Sequence, residues 1–374
     1  MAARPRARDL GIVIGRLPPG PHNGITDVAG IRVGHTALIQ GNGRLVVGKG
    51  PVRTGVTVVM PHDSDPWREA LYAGSHRLNG NGELTGLEWI RESGLLSSPI
   101  ALTNTHSVGV VRDAIIAAEI RDRGATSSTY WALPVVGETY DGQLNDLNGL
   151  HVRPEHLFAA LADARGGAVA EGNVGGGTGM ICHEFKGGIG TASRVLGESA
   201  GGFTVGVLVQ ANYGWRHRLS IDGVPVGREI PVTEVPSAWG EPKDTGSGSI
   251  IGIVATDAPL LPHQCERLAQ RAALGVGRVG GAGENSSGDL FLAFATGNGP
   301  MPAPDGEGSQ PLTRDVRALG DAHITPLFWA VIEATEEAIL NALLAADTMV
   351  GRDGNTAHAL PHDRLLEVMA RYRP

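Results

Sequence analysis

The sequence predicts an α/β protein in which β-sheets are covered by helices in layers. Short apolar runs rich in Val and Ile predict buried strands, and longer stretches with apolar residues on one face predict amphipathic helices. Strands and helices do not alternate strictly along the chain, which favours layers over a plain succession of strand–helix–strand units. The 374 residues, 41% of them hydrophobic, are ample for a large core, and their number alone suggests two or three domains.

The first half of the chain opens with short strands and continues with a mixture of strands and helices. Strand composition is found at 31–35, 55–60, 99–104 and 134–136, with Asn-Gly turn pairs at 23–24 and 42–43. Helices are predicted at 83–94, 110–123 and 154–165, with glycine at or just after the end of each. Pro154 near the start of the third helix fits that position. A polar turn is predicted at 137–142.

The second half contains the clearest core strand, at 203–211, and further strands at 250–255 and 289–295. Helices are predicted at 262–274 and 327–349, because apolar residues recur there at helical spacing. The polar, Pro-rich stretch from 224 to 249 contains no predicted element. No internal repeat is evident.

Composition excludes several classes of partner. The net charge is −8, and the only basic run is the short one at 4–8, so nucleic acid is not an expected partner. No run approaches the length of a membrane span, and the first residues lack the apolar core of a signal peptide. Cys182 and Cys265 do not make a disulfide framework, and Cys265 falls on the apolar face of a predicted helix. We therefore expect a soluble cytoplasmic protein in which Cys265 is a buried, reduced thiol.

Neither a metal nor a cofactor is expected. His183-Glu184 is not followed by a second histidine at helical spacing, and no Cys/His cluster has ligand spacing. The glycine-rich run 172–179 resembles a phosphate cradle in composition, but no Lys-Ser or Lys-Thr pair follows it. A close-packed turn near a functional site is the better interpretation of this run.

The most informative serine is Ser249, which follows Thr-Gly-Ser-Gly and directly precedes the apolar run 250–255. A strand anchored in a core holds its first residue in place, and Gly248, which lacks a Cβ, allows a tight bend before it. Attack of the Ser249 hydroxyl on the Gly248 carbonyl would convert the peptide bond to an ester, and hydrolysis would leave Ser249 as a new N-terminus. On local sequence alone, an ordinary linker is the competing interpretation.

A serine exposed in this way carries its own base. An α-amine has an unperturbed pKa of about 7.7–8.0, so a useful fraction is neutral near pH 7. The neutral amine can accept the hydroxyl proton as the oxygen attacks a carbonyl carbon.

Three further polar groups lie at the ends of predicted strands. Asn212 closes the strand at 203–211, Asn-Ser-Ser-Gly-Asp at 285–289 precedes another strand, and Glu138 and Tyr140 lie in the polar turn at 137–142. Each also fits an ordinary turn or a solvated surface.

Taken together, these segments resemble the β-aminopeptidases and their relatives, the L-aminopeptidase/D-esterase-amidases, which are serine peptidases of the S58 type. The resemblance runs nearly from end to end. It is carried by Gly248-Ser249 and by the segments 26–35, 102–109, 137–142, 172–180, 208–212 and 285–289.

The resemblance implies a four-layer α-β-β-α sandwich, similar to the N-terminal-nucleophile hydrolases but connected differently. Members are made as inactive precursors that cleave themselves before the catalytic Ser or Thr. In this chain the cleavage would fall between Gly248 and Ser249, and the pieces 1–248 and 249–374 would remain together as one folded unit. Such pairs usually assemble into tetramers.

The resemblance also assigns roles to individual residues. Ser249 would be the nucleophile, and its own amine or a relay through Ser287 and Asp289 would move the proton. Family members commonly have Glu where Asp289 stands. Asn212 would donate to the developing oxyanion, Glu138 would hold the substrate's free ammonium group, and Tyr140 would line the acyl pocket or bind near the oxyanion.

The expected function is therefore release of N-terminal residues from short peptides, amino-acid amides or esters, without a cofactor. Three alternatives remain open at this point. They are an endo-acting oligoamide hydrolase of the same family, an acyltransferase of the ornithine acetyltransferase type, and a glycine-rich binding protein that stays uncleaved. Acyltransferases of that type typically have Thr at the cleavage point, where this chain has Ser249.

Overall fold

The computed structural model describes residues 4–123, 131–240, 248–302 and 312–372. Its helices are α1 (Leu87–Ser93), α2 (Val108–Arg123), α3 (Pro154–Asp163), α4 (Val226–Glu229), α5 (Pro262–Val279), α6 (Thr325–Leu344) and α7 (His362–Tyr372). Its strands are β1 (Arg32–Gln40), β2 (Val52–Met60), β3 (Glu69–Arg77), β4 (Leu95–Leu96), β5 (Ile100–Asn104), β6 (Val135–Thr139), β7 (Ile181–Cys182), β8 (Phe185–Lys186), β9 (Gly188–Val195), β10 (Thr204–Asn212), β11 (Ser249–Thr256), β12 (Gly288–Ala295), β13 (Met301–Pro302), β14 (Met349–Val350) and β15 (Thr356–Ala357).

Two sheets pack face to face and each is covered by helices. The four-stranded sheet has the order β1-β2-β5-β6, and the seven-stranded sheet has the order β13-β3-β12-β11-β10-β9, with β4 paired to β3. Leu102 of the smaller sheet and Leu208, Ile251 and Leu292 of the larger one belong to the core between the sheets. Helices α2 and α3 close the outer face of the smaller sheet, and α5 and α6 close that of the larger. The predicted four-layer α-β-β-α sandwich is confirmed.

The seven-stranded sheet brings the chain's separate polar segments to one end. Strand β11 lies between β10, which is antiparallel to it, and β12, which is parallel. In this register Ser249 pairs with Asn212 on one side and with Gly288 on the other. Because side chains alternate along a strand, Ser249 and Ile251 face the smaller sheet, whereas Ile250 faces the helices.

Several predicted elements need correction. Strand β1 continues to Gln40 and α5 to Val279, beyond the predicted ends at 35 and 274. The helix predicted at 83–94 begins only at Leu87, because Leu84 bridges to Gly137 of β6 and Gly86 has a left-handed φ of 77°. The strand predicted at 134–136 continues through Thr139, so Glu138 lies in a buried strand rather than in a polar turn. The longest helix ends at Leu344 and not at 349.

The thiols of Cys182 and Cys265 are both free and buried, which confirms the prediction for Cys265. The stretch without a predicted element contains the single turn of α4, and residues 241–247, which include most of the segment leading to Ser249, lie outside the described residues. Within the part of the chain that the structure describes, no helix is long and apolar enough to cross a membrane.

Candidate active site

The site centres on Ser249, the first residue of β11, which is only 4% exposed. Its Oγ donates a hydrogen bond to the Gly248 carbonyl oxygen at 2.8 Å and accepts one from the Gly288 backbone N–H at 3.1 Å. Gly248 has a φ of 122°, and a Cβ there would overlap the carbonyl oxygen of Asn212. The position before Ser249 therefore requires glycine both for its conformation and for its contact with β10.

The carboxylate of Asp289 lies at the start of β12 within a set of hydrogen bonds. Its Oδ1 accepts from the Ser287 hydroxyl at 2.6 Å and from the Ile250 N–H at 3.2 Å. Its Oδ2 accepts from Asn79 Nδ2 at 3.1 Å. Burial raises the pKa of Asp289, and the hydrogen bond from Ser287 is the largest effect that opposes this rise. A buried carboxylate that is bonded to a hydroxyl can take part in moving a proton.

The side-chain amide of Asn212 is held at both ends. Its Nδ2 donates to the Tyr140 carbonyl oxygen at 2.9 Å, and its Oδ1 accepts from the Ile181 N–H at 2.8 Å. An amide nitrogen carries two hydrogens, and the bond to Tyr140 uses one of them. The fixed amide therefore retains one donor at the end of β10, opposite Ser249 in the sheet.

Glu138 is buried in β6, with both carboxylate oxygens hydrogen-bonded. Oε1 accepts from the Glu83 N–H at 3.1 Å, and Oε2 accepts from the Thr105 hydroxyl at 2.5 Å. Burial raises the pKa of Glu138. A Cβ at Gly82 would lie 3.1 Å from both Glu138 Oε1 and the Gly288 Cα, so Gly82 fits between this carboxylate and the strand beside Ser249.

Tyr140 makes a backbone contact in the site that was not predicted, and the role expected of its side chain stays a prediction. Its carbonyl fixes Asn212, whereas its ring is 39% exposed and stacks on Trp239 with 6.4 Å between ring centroids. Strand pairing thus places Ser249, Asn212 and Asp289 at one end of the sheet, and the Asp289 carboxylate, bonded to Ser287, accepts from the N–H of Ile250, the residue after Ser249. Glu138 lies across Gly82 from Gly288.

The glycine-rich run is a close-packed turn beside the site, as expected. A Cβ at Gly175 would overlap the Thr57 hydroxyl, and one at Gly176 would overlap Gln210 Oε1. Sequence reasoning missed Lys186, which is fully buried and donates to the carbonyls of Gly177, Met180 and Gly187 at 2.8–3.2 Å. Burial lowers the pKa of Lys186 to about 7. The contacts of this lysine bind the turn to the hairpin β7–β8.

Two other polar residues, one buried and one half-buried, were not predicted. Asp141 is completely buried beside Glu138's strand and accepts from the amides of Asn104 and Asn145 at 3.0 Å each; burial raises its pKa to about 6. Asn79 binds Asp289 from a position 210 residues away along the chain. Its surroundings, Asn-Gly-Asn-Gly at 79–82, indicate a turn, and no signal in that pattern points to a carboxylate.

A buried serine that starts a core strand after a glycine, with an amide donor paired opposite it in the sheet, fits a serine hydrolase. The layered fold further indicates the class in which the serine becomes N-terminal. Comparison with known proteins agrees: the model of peptidase family S58 matches residues 23–357. The chain therefore belongs to peptidase family S58. It is a hydrolase with an N-terminal serine, of the aminopeptidase and amidase type.

The similarity extends over whole chains. A β-aminopeptidase from Burkholderia sp. has 54% sequence identity and a TM-score of 0.91, covering 99% of this chain and 100% of that one. The β-peptidyl aminopeptidase BapA of Sphingosinicella microcystinivorans is 49% identical over 382 residues, which is 100% of this chain and 93% of that protein. The L-aminopeptidase D-Ala-esterase/amidase of Ochrobactrum anthropi, a variant of the Ntn hydrolase fold, has 42% identity and a TM-score of 0.88, covering 99% of each chain.

Proposed function

We propose that the chain cleaves itself between Gly248 and Ser249 and then releases N-terminal residues from short peptides, amino-acid amides or esters through an acyl-enzyme on Ser249. The observation that carries this proposal is the geometry at the bond itself. Ser249 Oγ lies 2.8 Å from the Gly248 carbonyl oxygen, and the Gly288 N–H donates to that Oγ.

In the self-cleavage step Ser249 Oγ attacks the Gly248 carbonyl carbon. The C–N bond breaks as the C–O bond forms, and the hydroxyl proton passes to the leaving amine. Water then hydrolyses the ester, so that Gly248 ends in a carboxylate and Ser249 begins with an amine. Strand pairing on both sides of Ser249 supports this step, because a fixed nucleophile reacts as if at high effective concentration.

The two pieces, 1–248 and 249–374, remain together after cleavage. Strands β11 and β12 of the second piece lie between β10 and β3 of the first. Helix α6 supplies Glu333 and Glu337, which pair with the fully buried Arg194 of β9 at 3.1 Å and 2.7 Å. Separation would expose both the sheet interior and an unpaired buried charge.

Hydrolysis uses the groups that surround the freed Ser249. Its Oγ attacks the substrate carbonyl carbon while its amine, or the pair Ser287–Asp289, accepts the proton. The unused Asn212 N–H binds the developing oxyanion. The acyl-enzyme is then hydrolysed by water, with the same groups returning the proton.

Glu138 anchors the substrate's ammonium group and so limits the enzyme to free N-termini. The carboxylate is buried, and charge-assisted hydrogen bonds are strong in such surroundings. This buried anchor favours exo action over the endo-acting alternative. The stacked pair of Tyr140, which is exposed, and Trp239, which is half-buried, lines the entrance to the acyl pocket.

The substrate class includes residues with the extra backbone carbon of β-amino acids. Two relatives, at 54% and 49% identity, are named β-aminopeptidase and β-peptidyl aminopeptidase, and the relative named for L- and D-residues is 42% identical. We also propose a cytoplasmic tetramer of the cleaved pairs. Exposed apolar side chains on α5 and α6, such as Leu274 and Trp329, support assembly, and the free thiols fit a reducing compartment.

Mass measurement under denaturing conditions tests the proposal. Purified protein should separate into pieces corresponding to 1–248 and 249–374 and should hydrolyse β-alanine p-nitroanilide. Ser249→Ala should remain one chain without activity. Full turnover by a single unbroken polypeptide would overturn the proposal, and transfer of the acyl group to an added amino acid in preference to water would favour the acyltransferase alternative.

A further inference from the structure

One short segment links the two carboxylates of the site. It leaves the end of β3 and comprises residues 79–83, here called the 79–83 bridge. Asn79 binds Asp289. Asn81 binds the backbone that precedes Asp289: its N–H donates to the Ser287 carbonyl at 3.2 Å and its Nδ2 to the Ser286 carbonyl at 2.7 Å. The Glu83 N–H donates to Glu138. The bridge therefore touches both the proton-moving group and the amine anchor.

Asn79 is bound to Asp289 twice. Its Oδ1 accepts from the Asp289 backbone N–H at 2.6 Å, and its Nδ2 donates to Asp289 Oδ2 at 3.1 Å. The other Nδ2 hydrogen is directed to the Glu284 carbonyl at 3.1 Å. Reversing the amide would place its oxygen against two acceptors and its nitrogen against an N–H donor, so the hydrogen-bond pattern fixes the orientation.

This double contact determines which way the Asp289 carboxylate faces. With Oδ2 held by Asn79, Oδ1 is left to accept from the Ser287 hydroxyl. Rotation of the carboxylate about its Cβ–Cγ bond would break the hydrogen bond from Asn79 Nδ2 and the one from the Ser287 hydroxyl. Asn79 thus sets the direction of the carboxylate towards the proposed proton path.

Burial and nearby negative charge oppose the ionisation of Asp289, so a hydrogen-bond donor to its carboxylate favours the ionised form. Among the described residues, the titratable groups whose charges act on Asp289 include the Glu284 carboxylate and the buried Tyr213 hydroxyl. Arg218 lies 4.0 Å from Glu284 and offsets that charge only in part. Arg77 of β3 pairs opposite Leu290, and its side chain therefore lies on the other face of the sheet.

We propose that Asn79 is a positioning residue for the hydrolysis: its amide turns the Asp289 carboxylate towards Ser287 and donates the hydrogen bond that favours its ionised form. This inference rests on the proposed function, in which Asp289 helps to move the proton. Asn79 acts through Asp289 and does not itself touch the reacting atoms.

The test compares Asn79→Asp, Asn79→Ala and the matched variant Asn81→Ala in cleaved, purified enzyme, with β-alanine p-nitroanilide as substrate. Asn79→Asp keeps the size and the acceptor oxygen but replaces the donor with a second carboxylate oxygen. Its acid-side midpoint of kcat against pH should rise by about one unit or more, because neighbouring carboxylates resist ionising together. In Asn79→Ala, kcat should fall roughly tenfold to a hundredfold, with KM little changed. Asn81→Ala removes a bond to a backbone carbonyl and should leave the midpoint where it is.

An Asn79→Asp enzyme with the wild-type midpoint and kcat would overturn the inference. A second contradicting result would be a loss of activity in both Asn79 variants that is fully accounted for by a lower Tm or by less cleaved protein. In that case the midpoint of the residual activity would stay at the wild-type pH. Asp289→Asn, measured alongside, separates this failure from a wider one. If Asp289→Asn keeps full kcat, the proposed relay itself fails; if it is impaired while Asn79→Asp is normal, only the role of Asn79 fails.

Discussion

Strands β9 and β11 lie on either side of β10 in the same sheet, yet they are built on different principles. Strand β11 carries apolar side chains on both faces, with Ile250 and Val254 towards the helices and Ile251 and Ile253 towards the other sheet. Strand β9, with the sequence Gly-Ile-Gly-Thr-Ala-Ser-Arg-Val, is just as buried.

The helix-facing side of β9 explains its composition. A Cβ at Gly190 would overlap the Ala338 carbonyl oxygen of α6, so the helix lies against the strand backbone. Further along the same side, Arg194 is completely buried among Glu333 and Glu337. Strand β9 therefore stabilises the contact between the two proposed pieces, whereas β11 positions Ser249, the proposed nucleophile.

The largest expected effect on stability tests the role given to β9. Arg194→Met should lower the free energy of unfolding by about 3–5 kcal/mol, because it removes the fully buried cation between Glu333 and Glu337 and leaves Glu337 with Arg8 as its cation. Urea unfolding in a Ser249→Ala background measures this on one unbroken chain. Arg165→Met removes an exposed partner of Asp163 and should cost about 0–1 kcal/mol. Equal losses in the two variants would contradict the distinction between the strands.

The contrast between these strands also shows what the sequence could predict. Strands β10, β11 and β12 follow from their apolar runs. Strand β9 does not, because small residues and a buried ion pair replace the apolar pattern where a helix backbone approaches closely. No strand was predicted at the position of β3, and no helix at that of α7.

The same reasoning applies to the site. The structure brings Ser249, Asn212, Ser287 and Asp289 together because they lie at the same end of neighbouring strands, and strand ends are marked in the sequence. Asn79 could not be found in this way, since its link to Asp289 depends on how β3 pairs with β12. The residue roles themselves remain predictions.

The next expected effect is a lower kcat when Asn212, which pairs with Ser249 across β10 and β11, is replaced. Asn212→Ala should lower kcat by roughly 10²–10³, the usual cost of one oxyanion donor of about 2.7–4 kcal/mol. KM should change much less, because the ammonium anchor is intact. Asn173→Ala is a suitable control, since its amide also bonds a backbone carbonyl, that of Asp347, at the surface. A kcat equal to that of the control variant would exclude the proposed oxyanion role.

A smaller effect is expected at the residue before the nucleophile. Gly248→Ala should slow self-cleavage more than tenfold, because a side chain is strained at a φ of 122° and a Cβ would overlap β10. The time course of cleavage after synthesis, followed by mass, measures this. Gly240→Ala is the matched control: that glycine also has a positive φ, 73°, but nothing described lies within 4 Å of its Cβ position. Cleavage at the wild-type rate in Gly248→Ala would show that β11 does not require this backbone geometry.

The smallest and most selective effect is expected at Glu138, in the opposite sheet. Glu138→Gln should raise KM for free-amine substrates, whereas N-acetylated amides, already poor substrates, should be affected little. Because burial raises the pKa of Glu138, the wild-type enzyme should lose affinity for free amines as the pH falls through that raised value, when the carboxylate takes up a proton. The Gln variant has no carboxylate at this position and should lack this dependence. KM measured from pH 4 to pH 8, for a free and a blocked substrate, tests whether the wild-type enzyme shows this pH dependence and the Gln variant does not. Equal losses on both substrates would mean that Glu138 supports the strand and does not anchor the amine.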